Sequence, residues 1–277
     1  MKTSTKIKIA RFIFNILIFF GIKKNLSVKR KFINWKLDLS EGIDLSIFLF
    51  GSFQGSVVKS ITELMLTKNK ENFDILDIGS NIGDKSLSLA DKLLKHKYYN
   101  FKIFSIEPTD YAFNKQVKNI NLNPNLKKKI LLFKYFISNK KYKPQKIYSS
   151  WKLDATENTH KFHHGSLKKV DRFTKSIKLD DFIKRNKIKK KVIIKMDVDG
   201  SELDILKSGQ KLLKNNSPII FMEYAPYIMK EQGSNLKEFM KFLKKFNYSI
   251  YDLNFKKLKK INISVGASTD IVLIKNM

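Results

Sequence analysis

The chain has 277 residues and 43% apolar content, enough for one sizeable α/β domain with extra elements and too apolar for disorder. It contains no cysteine, which excludes disulfides, thiolate nucleophiles and Cys-bound zinc and agrees with a cytoplasmic setting. The net charge of +30 points to a polyanionic partner or to a lysine-covered solvated surface. Only four of the 55 basic residues are Arg (Arg11, Arg30, Arg172 and Arg185), so the bidentate side chains that read nucleic-acid bases are nearly absent.

The first segment, residues 1–34, stands apart from a domain over 35–277. Its apolar stretch from Phe12 to Ile22 is flanked by lysines. At that length it is too short to span a bilayer, which takes ~20 apolar residues. No small-residue cleavage site follows, as a signal peptide requires. It reads either as an interfacial helix on an anionic membrane, with peripheral contact through residues 8–31, or as a helix packed on the domain.

Alternating apolar residues from Trp35 to Phe50 predict short strands with a turn at Glu41-Gly42, and Gln54–Thr67 predicts a helix. Then come strand Asp74–Ile78, helix Lys85–Leu94, strand Phe101–Ile106, helix Ala112–Asn119 and strand Ile130–Ile137. This alternation predicts parallel crossovers and a sheet covered on both faces. Residues 138–175 break the rhythm. They hold Tyr148, Trp151, His160, His163 and His164, and long irregular insertions of this kind serve as lids or binding loops. The pattern resumes with helix Leu179–Lys187, strand Val192–Asp197, helix Ser201–Leu213 capped by Ser201 and Asp204, and strand Pro218–Tyr224. Helix Asn235–Phe246 carries a stripe of Leu236, Phe239, Met240, Leu243 and Phe246. Tyr248–Leu253 and Asp270–Ile274 close the sheet as neighbours, one of them antiparallel.

The chemistry concentrates at strand ends. In the segment from Phe73 to Ala90 an apolar run ends in Asp77, a turn with Gly79, Ser80, Asn81 and Gly83 follows, and a helix begins. The glycines let the backbone bend and a ligand approach. A dinucleotide site prefers G-x-G-x-x-G, which offers amides to a pyrophosphate. Here Asp77 and Asp84 bracket the turn and would repel phosphate. They suit a cationic ligand, such as the sulfonium and amino group of S-adenosylmethionine. Thirty residues past Asp77, Glu107 ends the next strand, where a carboxylate can accept from both ribose hydroxyls.

The later run from Lys191 to Gly209 places Asp197 and Asp199 at a strand end and Glu202 in the first helical turn. For the aspartates the open roles are general base, ligand to a hard divalent cation, or helix N-terminal stabilisation, the last fitting Glu202. Glu223 ends the following strand. A base role is also open to a loop histidine, His163 in particular. No metal is assigned.

The strings LDIGSNIGDKSLSLA, SIEP, LNPN near Asn123 and above all IKMDVDGSELDILKSG, together with LDLSEGIDLSIFLFGSFQ upstream, resemble the FkbM family of S-adenosylmethionine-dependent methyltransferases from about Leu37 to Lys275. The family often carries Glu where this chain has Gln54 and Asp199, which argues against an ionised role at position 54. The resemblance implies a class I methyltransferase fold, Rossmann-like, with a seven-stranded, mostly parallel sheet and helices on both faces. It implies S-adenosyl-L-methionine as cofactor, with Asp77, Gly79, Ser80, Asn81 and Gly83 holding the methionine part and Glu107 the ribose. It also implies O-methylation of a sugar, glycan or natural-product hydroxyl. A base is needed because a protonated hydroxyl is a poor nucleophile, and Asp197 takes that role ahead of Asp199 and His163.

Two other readings compete. Nucleic-acid methylation rests on charge alone, since MDVDGSE has neither the proline nor the aromatic that stacks a flipped base. A non-catalytic cofactor-binding protein at a membrane surface conflicts with the intact carboxylates and glycines.

Overall fold

In the computed structural model, every residue of the strand Phe73–Ile78 is buried, because its side chains alternate between two apolar layers. Phe73 and Ile75 enter one cluster and Leu76 and Ile78 the other. Ile193 and Ile194 divide in the same way, as do Phe221 and Met222. The structure describes residues 3–68, 71–140, 146–154, 165–188, 191–261, 263 and 266–276.

The described chain opens with α1 (Thr3–Phe19) and the hairpin β1 (Asn25–Arg30) and β2 (Ile33–Asp38), followed by α2 (Gly42–Phe50) and α3 (Gly55–Thr67). Next come β3 (Phe73–Ile78), α4 (Asp84–Lys95), β4 (Phe101–Ile106), α5 (Asp110–Asn121), α6 (Pro124–Lys127) and β5 (Ile130–Phe133). Outside the main sheet lie β6 (Tyr135–Ile137), β7 (Lys146–Trp151), β8 (Gly165–Lys169) and β9 (Lys175–Ile177). Then follow α7 (Leu179–Arg185), β10 (Lys191–Met196), α8 (Glu202–Ser208), α9 (Gln210–Asn215) and β11 (Ile219–Tyr224). The last elements are α10 (Pro226–Glu231), α11 (Leu236–Lys245), β12 (Tyr248–Tyr251) and β13 (Thr269–Lys275).

The main sheet has seven strands in the order β12-β13-β11-β10-β3-β4-β5, and β13 runs antiparallel to both of its neighbours. From β3 the chain builds outward to β4 and β5, then crosses back to β10 and builds the other half. The order therefore reverses between β3 and β10, where open α/β sheets leave a crevice at the carboxyl ends of the strands. The expected class I methyltransferase architecture is present.

Five expectations change. Residues 42–50 form helix α2 rather than a strand. GIDLSIFLF ends in the unbroken apolar run Ile47 to Phe50, so the alternation is not diagnostic, whereas Gly51 in the left-handed region (φ 75°) closes the helix. The strand expected over Ile130–Ile137 splits at Lys134, whose ammonium is held between Asp110 and Asp171, and β6 pairs with β9 in a separate sheet. Helix Ser201–Leu213 breaks at Gly209, where a Cβ would lie 2.7 Å from Leu179 Cδ2. Ser201 caps nothing with its side chain, and Asp204 instead accepts from Ser138 Oγ at 2.5 Å. On α11 the buried stripe is Phe239, Phe242 and Leu243, with Leu236 and Met240 exposed.

The insertion contains an antiparallel pair, β7 with β8. A single buried carboxylate anchors it. Glu41 accepts from Ser150 Oγ at 2.6 Å, Lys152 Nζ at 3.2 Å and Tyr111 Oη at 3.2 Å. α1 packs on the domain: Ile7 and Phe14 are buried in the cluster that holds Phe73 and Ile75, and Arg11 Nε donates to Leu153 O. The β1–β2 hairpin crosses the boundary expected between residues 34 and 35.

Candidate active site

The turn after β3 is built on three left-handed residues, Gly79 (φ 74°), Asn81 (φ 48°) and Gly83 (φ 88°). At Gly79 the need for glycine is steric. A Cβ there would fall 2.0 Å from the carbonyl oxygen of Asp197. The two strand-end motifs, distant in sequence, thus touch backbone to backbone. Beneath the turn lies a buried polar network. Ser86 Oγ donates to Asp77 Oδ2 at 2.7 Å and shares a hydrogen bond with Ser105 at 2.6 Å, while Gln116 Nε2 donates to Ser80 Oγ at 2.5 Å and to Ser105 Oγ at 2.6 Å.

Asp77 belongs to that underlayer. It is fully buried, paired with Lys195 Nζ at 3.2 Å, and lines neither of the two cavities described below. Asp77, expected to meet a cofactor ammonium, thus lies behind the turn rather than on a cavity wall, and its carboxylate fixes the turn from below. Burial works against the charge of Lys195, but Asp77 and Asp197 outweigh it and hold the ammonium pKa above its usual value. Lys195→Ala would leave Asp77 buried without its cation. It is expected to cost about 3–5 kcal/mol, read as a fall in denaturation midpoint at unchanged m-value. A change below 1 kcal/mol, on the order of a surface pair, would refute the pairing as structural.

Two cavities meet above the turn. One, of about 400 Å³, is lined by Glu107, Tyr111 and apolar groups including Ile106, Phe136 and Ile137. The other, of about 460 Å³, reaches α1 and α2 and contains Gln54, Lys85 and Glu223. Both are lined by Gly79, Asn81, Asp197, Asp199 and the β7 residues Tyr148 to Ser150. The structure thus brings Gly79, Asn81, Asp197 and Asp199 together and sets Glu107 in the first cavity. Ser80 lines the second, and Gly83 lies at the start of α4, lining neither. His163 falls outside the described residues.

Glu107 Oε1 accepts from Thr109 N and Oγ1 and its Oε2 from Asn81 N. Burial raises its pKa despite these bonds. Asp197 sits half-buried at the junction of the cavities. Enclosure raises its pKa, Lys195 opposes the rise, and Asp199 adds to it. Asp199 itself is left-handed (φ 50°), next to Gly200 (φ 89°), whose Cβ would lie 2.7 Å from Ile228 O.

Glu223 lies across the second cavity, accepting from Ser268 Oγ at 2.6 Å, with Asp270 opposite it in register. Burial, then Asp197, raises its pKa well above the ordinary value. Burial and Asp197 also push Asp270 up to about 6. Sequence reading reached Glu223 by its strand-end position and Tyr148 by its place in an insertion read as a lid or binding loop, but had no signal for Asp270. Its place depends on which strands end up adjacent.

Glu202 ties the second motif together, accepting on Oε1 from Val198 N at 3.2 Å and Gly200 N at 3.4 Å. Burial pushes its pKa to about 8, from an ordinary 4.5. Between those values the folded protein keeps a proton that the unfolded chain has released. Raising the pH through this window therefore lowers stability. Glu202→Gln keeps the acceptor and has no proton to lose. Its melting temperature should decline less than that of the wild type between pH about 5 and about 8; parallel curves would assign the proton elsewhere.

Among the described residues, no group of three or more His, Asp and Glu is arranged to hold a metal ion. The methyltransferase FkbM domain family matches residues 77–250, from the end of β3 into β12. The chain belongs to the FkbM methyltransferase family. It is an S-adenosylmethionine-dependent methyltransferase. Hexuronic acid methyltransferase AglP of Haloferax volcanii is 24% identical over 185 residues, 65% of this chain and 68% of that protein. An S-adenosylmethionine-dependent methyltransferase of Clostridium acetobutylicum superposes at a TM-score of 0.44 with 10% identity, over 84% of this chain and 96% of its own. Magnesium protoporphyrin IX methyltransferase of Synechocystis, with bound S-adenosylmethionine, gives 0.43 and 9%, over 84% of each chain.

The residues of this FkbM domain fit the cofactor. Gly79 leaves open a space at the junction of the cavities that a side chain could not share with Asp197, and in the first cavity the carboxylate of Glu107 stands beside the apolar walls of Ile106, Phe136 and Ile137. That combination suits a nucleoside, with an apolar base and a hydroxylated sugar.

Proposed function

We propose that the protein O-methylates a hydroxyl of a sugar or glycan, with Asp197 as general base. The observation that carries this reading is that Asp197 lines both cavities at their junction. Gly79, Ser80 and Asn81 would hold the methionine part of S-adenosylmethionine and Glu107 its ribose, with Asp77 and Gly83 shaping the turn that presents them. When bound, the cofactor supplies an already activated methyl group, so the protein's task is alignment and proton removal.

A carboxylate Oδ of Asp197 takes the acceptor's hydroxyl proton. Its raised pKa brings it nearer neutrality, where a base is most effective. Asp199 and Glu223 bring further hydrogen-bond acceptors to the second cavity, and Ser149 and Ser150 bring hydroxyls, groups that suit a polyhydroxylated acceptor. The relative that acts on a hexuronic acid supports the sugar class. Residues 8–31 carry the surface for a peripheral contact with an anionic bilayer.

The test is label from methyl-labelled S-adenosylmethionine, offered with hexuronic acids, neutral glycosides and cell nucleic acid. Label in a sugar that survives mild alkali is a methyl ether and supports O-methylation of a hydroxyl. Alkali-labile label would be a carboxyl ester, and label in nucleic acid would overturn the reading.

A further inference from the structure

One helix carries three adjacent faces. α1 buries Ile7, Phe14 and partly Leu17 against the core. Turning around its axis, Lys6, Ile9 and Ile13 come next and line the acceptor cavity. Beyond them Phe12, Ile16, Phe19 and Phe20 face outward, with Phe12, Phe19 and Phe20 exposed by 66%, 84% and 75%. Ile9 belongs to both the cavity face and the outer face, being 46% exposed. The end of α2 adds Leu49 and Phe50, which line the same cavity and are also exposed. The α1 and α2 wall of the cavity is thus largely apolar apart from Lys6 and Ser46, and Ile9, Leu49 and Phe50 carry it out to the exposed surface.

That surface is edged with positive charge. α1 carries Lys6, Lys8 and Arg11 and no acidic residue, Lys23 follows it while Lys24 is ion-paired with Asp154 at 2.6 Å, and the whole chain has a net charge of +30. Contiguous exposed apolar area of this kind marks a binding face. The basic border matches an anionic bilayer, with the aromatic face in the acyl boundary and lysines at headgroup level. At 17 residues α1 can lie in the interface, and no helix among the described residues is long and apolar enough to cross a membrane.

We infer that the acceptor is a membrane lipid whose headgroup carries the hydroxyl, drawn from an anionic bilayer along α1. Its headgroup reaches Asp197, and the start of its apolar chain lies against Ile9, Ile13, Leu49 and Phe50. This deepens the sugar-hydroxyl reading and rests on it for the headgroup alone.

The experiment has two arms. In the first, the protein is sedimented with vesicles of phosphatidylcholine, with and without phosphatidylglycerol. Wild type should bind the anionic vesicles, and salt should weaken binding. Phe12→Asn/Phe19→Asn/Phe20→Asn should bind them about a hundredfold more weakly while keeping S-adenosylhomocysteine affinity. No binding by wild type, or equal binding by the variant, overturns the inference. So does a wild-type dimer that the variant splits without any vesicle binding, since that face would then join two copies. In the second arm, methyl transfer is compared between glycosides with short and long alkyl chains. The long chain should raise kcat/KM by roughly tenfold or more, and Ile13→Gln should remove that preference. Indifference to chain length overturns the inference. The vesicle arm needs no turnover, so it stands if the sugar reading fails.

Discussion

Asp197→Asn is expected to lower turnover by roughly 10²–10⁴, the usual contribution of a positioned base, while S-adenosylhomocysteine affinity stays within about threefold, a shift well under 1 kcal/mol. The amide keeps the shape of the side chain at the junction of the cavities and loses only its capacity to take a proton. Wild-type kcat/KM should rise with pH as the carboxyl of Asp197 ionises, and the variant should lack that limb. Asp199 adds to the rise in the Asp197 pKa, so neutralising Asp199 would ease the ionisation of Asp197 and move the limb to lower pH. Unchanged turnover in Asp197→Asn would remove the assignment outright. A loss matched by lost cofactor affinity would mean that the residue shapes the donor site instead.

Gly79→Ala should disrupt both strand-end motifs with a single methyl group. The added Cβ would sit 2.0 Å from Asp197 O, and the backbone on both sides is tied: Gly79 N donates to Ile106 O and Asp197 N to Ile78 O. One strand end has to move, and with it both the cofactor turn and the base. Gly233 supplies the control. It too is left-handed, at φ 80°, but nothing lies within 4 Å of its missing Cβ. Gly233→Ala should therefore show only the conformational cost, about 1–2 kcal/mol, with ligand binding intact. Gly79→Ala should lose S-adenosylhomocysteine binding by about a hundredfold or more, the scale of about 3 kcal/mol, in calorimetry. If the two variants behave alike, the close approach of the motifs is not what makes the glycine necessary.

The central sheet and the crevice were legible because their signals are local. Apolar runs such as those ending in Asp77 and Met196 are long enough to be buried on both faces, and the left-handed glycines announce the turn. The fate of each carboxylate was less legible, because it depends on packing at a distance. Asp77 and Glu107 both end strands, yet one lies under the turn against Lys195 and the other reaches a cavity. The lysine that decides this for Asp77 arrives from a strand 118 residues later in the chain, where it looks like one more surface charge in a basic protein. α2 was hidden because Leu45, Ile47 and Leu49 alternate as in a strand while Phe48 and Phe50 fall out of step with them. The β7–β8 pair was hidden because its anchor, Glu41, precedes it by more than a hundred residues. α1 was read as membrane helix or packed helix; it packs on the domain through Ile7 and Phe14 and leaves Phe12 and Phe19 exposed.

The sheet ends at both sides in four-residue strands, β5 and β12, with lysines just ahead of each: Lys127 to Lys129 before one, Lys244 and Lys245 before the other. Exposed strand borders are templates on which further copies can add, and brevity together with like charge makes them poor ones. In a chain this rich in Ile and Phe, pairing of further copies onto the two borders of the sheet is thereby discouraged.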